Sequence, residues 1–316
     1  MTMRVAIVAA GGVGGYFGAR LARAGEEVVF VARGEHLRAI RERGLRVESA
    51  DGDLLVQPAH ATDDPATVGP VEVVLVAVKG WQLPDAIATM RPLVGSETLV
   101  VPLLNGVEAP DQLAAALGSE RVAGGLCGLF GEVVAPGHIR NLQPHPFVAV
   151  GELDNARSER IERLRDSFER AGVRADIAAD IRAALWEKLL FVGPFGAVGA
   201  VTRASIGVVR DLPETRALLE GAMAEVGVVA RARGIAVAEG AVAAALARVD
   251  GSPAGATASM QRDIMAGRPS ELEAQVGAVV RAGEKAGVAT PFHRYLYACL
   301  LPQERAARGD AGEAGS

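Results

Sequence analysis

Hydrophobic positions at the start of the chain come in short runs that are separated by glycine-rich and polar segments. Arg4–Val8 is an apolar run of the length expected for a buried parallel strand. A helical pattern follows through Leu21 and Ala22 and closes at Gly25, and Glu27–Val31 is a second predicted strand. This order of strand, glycine-rich loop, helix and strand is typical of the first half of a dinucleotide-binding fold.

Apolar runs continue to alternate with helical patterns through the first half of the chain, and a helix is predicted over 158–171. The runs that predict further strands lie at 71–78, 97–104, 124–130, 138–150 and 174–178. Strands interleaved with helices indicate an α/β fold with a mostly parallel, doubly wound sheet of the Rossmann type.

The pattern changes near residue 180, beyond which we expect no strand. The predicted helices of this second part cover 181–192, 212–233, 237–249, 258–266 and 270–286. We therefore predict a Rossmann domain over 1–179 and an all-helical domain over 180–302. The polar residues 303–316, which are rich in alanine and glycine, are expected to form a flexible tail.

The loop at 9–14 has the features of a pyrophosphate site. In the G-x-G-x-x-G register Ala9 replaces the first glycine, and Gly11 and Gly14 are the second and third. The second glycine lets the backbone approach the pyrophosphate, and the third lets the helix pack on the strand. Alanine is acceptable at the first position if its φ is negative. The N-terminus of the following helix offers N–H groups and a partial positive charge to an anion.

The residue after the second strand indicates which dinucleotide is bound. An NAD site places a carboxylate there to hold the ribose 2′-hydroxyl, whereas this chain has Arg33. Because a guanidinium forms charge-assisted hydrogen bonds with a 2′-phosphate, we expect the cofactor to be NADP(H), with NADPH as the reduced form.

Charge and cysteine content narrow the class of protein. The net charge of −5 and the pI near 5.7 give no sign of a nucleic-acid or anionic-membrane partner. Cys127 and Cys299 lie far apart without metal-ligand spacing, so we expect two buried thiols in a reducing compartment and no metal site. The apolar stretch 189–201 contains Pro194 and is too short to span a bilayer, and no secretory signal is visible. We therefore expect a cytoplasmic protein.

Two candidate residues follow predicted strands, at the edge where open α/β sheets bind ligands. Lys79 comes directly after the strongest strand, although a solvated loop lysine is an equally good interpretation. Asn105 and Gly106 come after the next strand. The pair Asn-Gly is the commonest turn dipeptide, so a turn is the better interpretation of these two residues alone.

Other candidates lie on the predicted helices. Lys188 shares a helix face with Leu185, Phe191 and Val192, and lysines are rarely buried unless they are used or paired. The lysine could equally extend to the surface, and Glu187 is flanked in much the same way. The pattern therefore leaves open which of the two side chains points inward.

Glu271 lies in a segment that has a good structural explanation. Ser270 and Glu273 are spaced as a capping box, with the serine at the N-cap and the glutamate at N3. This would place Glu271 in the first helical turn, where the helix dipole favours a carboxylate. Ser259 opens the preceding helical segment, twelve residues before Glu271.

The order and spacing of these segments resemble those of the ketopantoate reductase (2-dehydropantoate 2-reductase) family over nearly the whole chain. The matching segments are the loop 11–18, Arg33, 78–82, 105–106, 186–189, 259–263 and Glu271. The resemblance implies hydride transfer from NADPH to the keto carbon of a 2-oxo acid, in a cleft between the two domains. It also implies a small-molecule substrate, a role in pantothenate biosynthesis and a possible homodimer.

The resemblance also implies roles for individual residues. Lys188 matches a lysine that protonates the keto oxygen, and Glu271 matches a carboxylate that binds the reacting hydroxyl and orients this lysine. Asn105 and Ser259 match substrate contacts, the serine at the substrate carboxylate. The implied cofactor-binding residues are Gly11, Gly12, Val13, Gly14, Arg33, Lys79 and Asn105.

Two positions depart from the family pattern. Known members carry asparagines four and eight residues after the catalytic lysine, where this chain has Val192 and Gly196. Loss of two amide contacts would cost about 1–3 kcal/mol each if nothing replaces them. A reductase of a different, more apolar 2-oxo acid or ketone is therefore an alternative. A non-catalytic NADP-binding regulatory protein is a second alternative, against which the presence of both Lys188 and Glu271 argues.

Overall fold

A computed structural model describes residues 2–141 and 143–309 of the chain. The chain forms two compact units. The first consists of Met1–Leu104 and Ala109–Ile181, and the second of Asn105–Glu108 and Arg182–Ser316. The sequence pattern gave no indication that the short segment Asn105–Glu108 would belong to the second unit.

The first unit contains all the strands of the described residues. In chain order they are β1 (Arg4–Val8), β2 (Glu27–Val31), β3 (Leu45–Ser49), β4 (Leu54–Val56), β5 (His60–Thr62), β6 (Val73–Val76), β7 (Leu99–Pro102), β8 (Ala123–Gly128), β9 (Gly131–Ala135), β10 (His138–Asn141), β11 (Phe147–Glu152) and β12 (Arg174–Ile177). Its α-helices are α1 (Gly12–Arg23), α2 (Gly34–Arg43), α3 (Leu83–Met90), α4 (Ala109–Leu117) and α5 (Glu159–Arg170).

A parallel five-stranded sheet with the order β5-β2-β1-β6-β7 forms the centre of this unit. Val5 of β1 lies opposite Val28 of β2 and Val73 of β6, and the β1 residues Val5, Ala6 and Ile7 are fully buried. Such burial on both faces explains the continuous apolar runs in the sequence. The predicted Rossmann-type sheet with its helices is confirmed.

Two mixed sheets accompany the central one, with the orders β4-β3-β10-β9 and β12-β11-β8. The single strand predicted over 138–150 is wrong, because β10 and β11 belong to different sheets. Pro144 and Pro146 lie between these two strands. Proline has no backbone N–H to donate to a strand ladder, which explains why one strand does not continue through this segment.

The second unit is helical throughout its described residues, as predicted. Its helices are α6 (Ile181–Thr202, whose first residue belongs to the first unit), α7 (Ile206–Asp211), α8 (Pro213–Ala232), α9 (Ala241–Asp250), α10 (Ser259–Met265), a π-helical turn (Glu273–Gly277), α11 (Ala278–Ala286) and α12 (Pro291–Arg308).

Three of these helices differ from the prediction. Helix α6 does not end at residue 192 but continues through Pro194 to Thr202. Helix α7 was not predicted, whereas α8 agrees with the predicted helix over 212–233 to within one residue at each end and begins at Pro213. Helix α12 was not predicted, and the tail expected over 303–316 is wrong for residues 303–308, which are helical. Residues 310–316 lie outside the described residues.

Within the described residues one helix, α6, has the length and apolarity of a membrane span. Of its most apolar window, 67% is buried inside the protein, as in the core helix of a globular domain. The helix contributes Leu189, Leu190, Ala197 and Val198 to the core of the second unit, to which α8 and α11 also contribute residues.

Candidate active site

The glycine-rich loop follows β1 at the point where the strand order of the parallel sheet reverses. The chain passes from β1 outward to β2 and β5, and then returns to place β6 on the other side of β1. Ligands of open α/β sheets bind at the carboxyl ends of the strands at such a switch point. Ala9 has a φ of +76°, so the condition of a negative φ, under which alanine would be acceptable here, is not met.

Close packing explains several glycines of the loop and of α1. A Cβ on Gly14 would lie 2.1 Å from the carbonyl oxygen of Ala9 and 2.8 Å from Cγ2 of Ile7. Gly14 therefore occupies the place where the helix packs on β1, as the motif predicts. A Cβ on Gly12 would lie 2.3 Å from the carbonyl oxygen of Gly131, which belongs to β9. This second requirement comes from a strand that sequence reasoning had not placed beside the loop.

Gly11 differs from these glycines because a Cβ there would meet no atom within 4 Å. Its backbone is extended, with φ −72° and ψ −162°, and it forms the N-cap of α1 without a side-chain hydrogen bond. The helix N-terminus thus has an open approach and no side chain that caps its N–H groups. These are the properties that a pyrophosphate requires of this position.

Arg33 and Lys79 lie beyond the carboxyl ends of two strands of the same sheet. Arg33 is exposed at the N-cap of α2, just after β2, and its guanidinium donates a 3.1 Å hydrogen bond to Oγ1 of Thr89. Lys79 is partly buried and follows β6, and its backbone N–H donates to Oε1 of Gln82 at 3.1 Å. In each case the sequence predicted the place relative to the strand correctly.

The second unit contains a buried carboxylate. Glu271 is only 3% exposed, and its Oε2 accepts hydrogen bonds from Nδ2 of Asn105 at 2.9 Å and from Nε2 of Gln275 at 3.3 Å. A buried carboxylate requires such donors, because transfer from water costs several kcal/mol unless they replace the lost hydration. The structure thus brings together Asn105 and Glu271, two residues that lie 166 positions apart.

The segment that carries Asn105 is held in place by a charged network. Arg281 of α11 donates to Oε2 of Glu108 at 2.8 Å and to Oε2 of Glu273 at 2.7 Å. Burial lowers the pKa of the Arg281 guanidinium, but its hydrogen bonds to Glu108 and Glu273 raise the pKa overall. Gly106 has a φ of +99°, and a Cβ there would lie 2.7 Å from the carbonyl oxygen of Ala274. The Asn-Gly pair is therefore both a turn and part of the polar site.

The predicted capping box at Ser270 does not form. The Ser270 N–H donates to the carboxylate of Glu304 at 3.0 and 3.1 Å, and the Ser270 hydroxyl donates to the same carboxylate. Glu273 instead accepts hydrogen bonds from Arg281 and from the hydroxyl of Tyr297, where burial and Glu273 raise the pKa of Tyr297 to about 12. The N–H that a capping box needs is thus taken by the carboxylate of a residue on α12.

Lys188 and Glu187 are both partly buried on α6. Glu187 accepts a 3.0 Å hydrogen bond from the backbone N–H of Ala238, which gives this carboxylate a structural role. Lys188 takes part in none of the ion pairs and hydrogen bonds found among the described residues. A Cβ on Gly193 would lie 3.1 Å from the carbonyl oxygen of Gln275, so α6 closely approaches the π-helical turn that follows Glu271.

Of the two positions that depart from the family pattern, Gly196 lies against apolar side chains. Val192 is partly buried, and a Cβ on Gly196 would lie 2.9 Å from Cε of Met260 and 3.4 Å from Cβ of Ala258. Ser259, between these two residues, is exposed at the start of α10. The three atoms nearest to a Cβ on Gly196 all belong to the apolar side chains of Met260 and Ala258.

The cysteine prediction is correct for one thiol and wrong for the other. Cys127 is buried on β8, whereas Cys299 is exposed on α12, where only every third or fourth residue, such as Leu296 and Leu300, is buried. Among residues 2–141 and 143–309 no group of three or more histidine, cysteine, aspartate or glutamate side chains could hold a metal ion.

Sequence reasoning missed the residues that support the site. Gln275 lies one helical turn after Glu271, and this i, i+4 spacing was the signal that could have identified it as a partner. The ion pair of Arg281 with Glu108 joins residues 173 positions apart and left no local signal.

Known proteins resemble this chain over both of its units. The family model described as ketopantoate reductase PanE/ApbA matches residues 5–155, and the model of its C-terminal domain matches residues 180–304. A 2-dehydropantoate 2-reductase of Mesorhizobium japonicum is 32% identical over 92% of this chain and 94% of its own length. The uncharacterized oxidoreductase YkpB of Bacillus subtilis is 27% identical over 96% of this chain and 99% of its own.

A solved structure gives the same result. The crystal structure of 2-dehydropantoate 2-reductase from Geobacter metallireducens superposes with a TM-score of 0.89 at 33% identity. The match covers 95% of this chain and 99% of the other. The chain belongs to the ketopantoate reductase family of oxidoreductases.

Proposed function

We propose that this protein reduces a 2-oxo acid to the 2-hydroxy acid with NADPH, and that the substrate is 2-dehydropantoate, which yields pantoate for pantothenate biosynthesis. The observation that carries this proposal is the buried Glu271 carboxylate, hydrogen-bonded to Asn105 beside the turn that α6 approaches. The 2-dehydropantoate 2-reductase names of the Mesorhizobium and Geobacter relatives support the choice of substrate.

The first unit has the features of an NADPH site. The open position at Gly11 and the uncapped N-terminus of α1 suit a pyrophosphate, and the exposed Arg33 suits a 2′-phosphate. Gly12, Val13 and Gly14 shape the loop, and we assign Lys79 and Asn105 to further cofactor contacts. When bound, NADPH supplies the hydride that reduces the keto carbon.

The second unit supplies the groups for the proton and the substrate. In our proposal Lys188 donates a proton to the keto oxygen, where negative charge develops only in the transition state. Glu271 binds the reacting hydroxyl and orients the lysine, while Asn105 holds the Glu271 carboxylate through their 2.9 Å hydrogen bond. Ser259 is assigned to the substrate carboxylate.

Substitution of Lys188 tests this assignment. We expect Lys188→Ala to lower kcat about 10²- to 10⁴-fold, the usual contribution of a general acid, without a change in NADPH affinity. Lys285→Ala is the matched control, because Lys285 is exposed in the last turn of α11 and is also in the second unit. NADPH oxidation and a fluorescence titration of NADPH measure the two quantities. An unchanged kcat in Lys188→Ala would remove the lysine from the mechanism.

A second candidate substrate is a 2-oxo acid with a more apolar side group. The contact of Gly196 with Met260 and the neighbouring Val192 favour it, because these groups offer no hydrogen bond to a substrate hydroxyl. A panel of 2-oxo acids with equal carboxylates and different side groups separates the two candidates by kcat/KM. Tight NADPH binding without turnover of any panel member would instead indicate a regulatory NADP-binding protein.

A further inference from the structure

Arg248 places a second positive charge beside the helix that carries Lys188. Its guanidinium carbon lies 4.3 Å from the centre of the Phe191 ring, a cation–π contact between α9 and α6. Phe191 follows Lys188 by three residues, so their side chains are neighbours on one face of the helix, with about 5–6 Å between Cβ atoms.

No carboxylate of the described residues neutralises this guanidinium. Asp250, two residues further along α9, is held by Arg216, which donates to both of its oxygens. The hydrogen bond from Arg216 lowers the pKa of Asp250, and the nearby charge of Arg210 lowers it further. Arg248 has no ion pair in the part of the chain that the structure describes. Partial burial against the Phe191 ring lowers the pKa of Arg248, while the residue as a whole remains exposed and so can be reached by an anionic ligand.

The helix face between Lys188 and Arg248 is only partly covered by the core of the second unit, against which Phe191 packs. Lys188, Phe191 and Val192 are only partly buried, whereas Leu189 and Leu190 are each 1% exposed. Glu187 at the edge of this face is engaged with the Ala238 N–H. The face therefore presents two cations and two apolar side chains without an anion.

We propose that Arg248 binds the carboxylate of the 2-oxo acid substrate. This inference rests on the proposed function, in which Lys188 donates to the adjacent keto oxygen. In a 2-oxo acid the carboxylate is bonded directly to the reacting carbon, so reduction builds alkoxide character beside an existing negative charge. A guanidinium on the carboxylate offsets this repulsion, which the neutral hydroxyl of Ser259 does not. The Phe191 ring keeps the guanidinium plane in place by stacking.

The test compares a charged substrate with a neutral one of the same shape. Arg248→Met should raise the KM for 2-oxoisovalerate and 2-dehydropantoate about 10- to 100-fold. For the methyl ester of 2-oxoisovalerate, which has no carboxylate charge, the KM should stay within about twofold of the wild-type value. Arg248→Lys should recover part of the lost affinity, because it keeps the charge but not the planar fork. NADPH affinity should not change in either variant.

Arg233→Met is the matched control, because Arg233 is exposed at the end of α8 in the same unit. The thermal unfolding midpoint of each variant shows whether the fold is intact. The proposal would be overturned if Arg248→Met and the wild type had equal KM values for both acids. It would also be overturned if the substitution raised the KM for the ester as much as the KM for the acids.

A failure of the Arg248 proposal can be distinguished from a failure of the proposed function. If the wild type reduces none of these acids, the proposed function fails, and calorimetry of 2-oxoisovalerate binding to the NADPH-loaded protein then decides about Arg248. Loss of this binding in Arg248→Met alone supports the anion site. Equal binding by both proteins, or no binding by the wild type, overturns it.

Discussion

Gly11 is the N-cap of α1 and Gly14 lies in the first turn of this helix, and the two glycines differ in what an added methyl group would meet. In Gly14→Ala the new Cβ would lie 2.1 Å from a backbone oxygen and 3.0 Å from Cβ of Ala77, whereas ordinary van der Waals contact begins at 3.4 Å. Neither neighbour is the end of a flexible side chain, so the helix must shift from the strand. Overpacking of this kind costs about 1–3 kcal/mol, and the backbone contact puts the expected loss near the upper value.

In Gly11→Ala the new Cβ would meet no atom of the protein within 4 Å, and the extended backbone accepts alanine. We expect its free energy of unfolding to stay within about 0.5 kcal/mol of the wild-type value. NADPH should nevertheless bind at least about tenfold more weakly, because the methyl group keeps the pyrophosphate from the N–H groups of α1.

Two measurements on each variant separate these effects. Urea unfolding of the cofactor-free protein gives stability, and NADPH fluorescence titration under folded conditions gives affinity. A loss of about 3 kcal/mol in Gly14→Ala corresponds to a fall of about 6–12 °C in the unfolding midpoint. Wild-type stability of Gly14→Ala would refute the close approach of helix and strand. Wild-type NADPH affinity of Gly11→Ala would refute the pyrophosphate position.

Three further substitutions test other parts of the first unit. In a thermal unfolding assay, Ala9→Gly should stabilise the protein by up to about 1 kcal/mol, because the left-handed φ costs alanine about 1–2 kcal/mol and the greater freedom of unfolded glycine offsets part of this gain. The control Ala10→Gly, at a position without positive φ, should instead destabilise the protein. Arg33→Ala should lower the affinity for NADPH about 10- to 100-fold but leave the affinity for NADH unchanged, and Arg38→Ala, at another exposed arginine, is the control. Equal losses of affinity for both nucleotides would count against a 2′-phosphate contact. Burial raises the pKa of Glu26, but hydrogen bonds from Ser167, the Met3 N–H and Arg170 bring it below the ordinary 4.5, so this carboxylate stabilises the fold above that pH and the contribution is lost as the pH falls through the folded pKa. Glu26→Gln should therefore be less stable than the wild type at pH 7 by about 2–3 kcal/mol, and urea titrations at lower pH should show the difference shrinking; a constant difference would contradict the assignment.

The parts of the fold that sequence reasoning predicted are those where burial dominates. Strands β1, β2, β6 and β7 are buried along most of their length and appear as continuous apolar runs. Strands β3 and β4 were missed because exposed and partly buried positions interrupt their burial, so the sequence shows no continuous apolar run there. Helix α12 was not predicted, and its last residues, 303–308, were assigned to a tail because they are mostly polar. Glu304 is buried there through its bonds to Ser270, a partner 34 positions away.

The site was harder to predict because local and functional explanations hold for the same residues. The backbone bends sharply at Asn105 and Gly106, and the positive φ of Gly106 is one that glycine supplies in turns. The same bend directs the Asn105 amide to Glu271, and the pair of Glu108 with Arg281 holds the segment there. A turn preference therefore does not argue against a functional role, because a polar side chain on a rigid turn loses little conformational entropy when it binds. What separates a functional turn from an ordinary one is the buried charge that it contacts, and that charge lies 166 positions away in the chain.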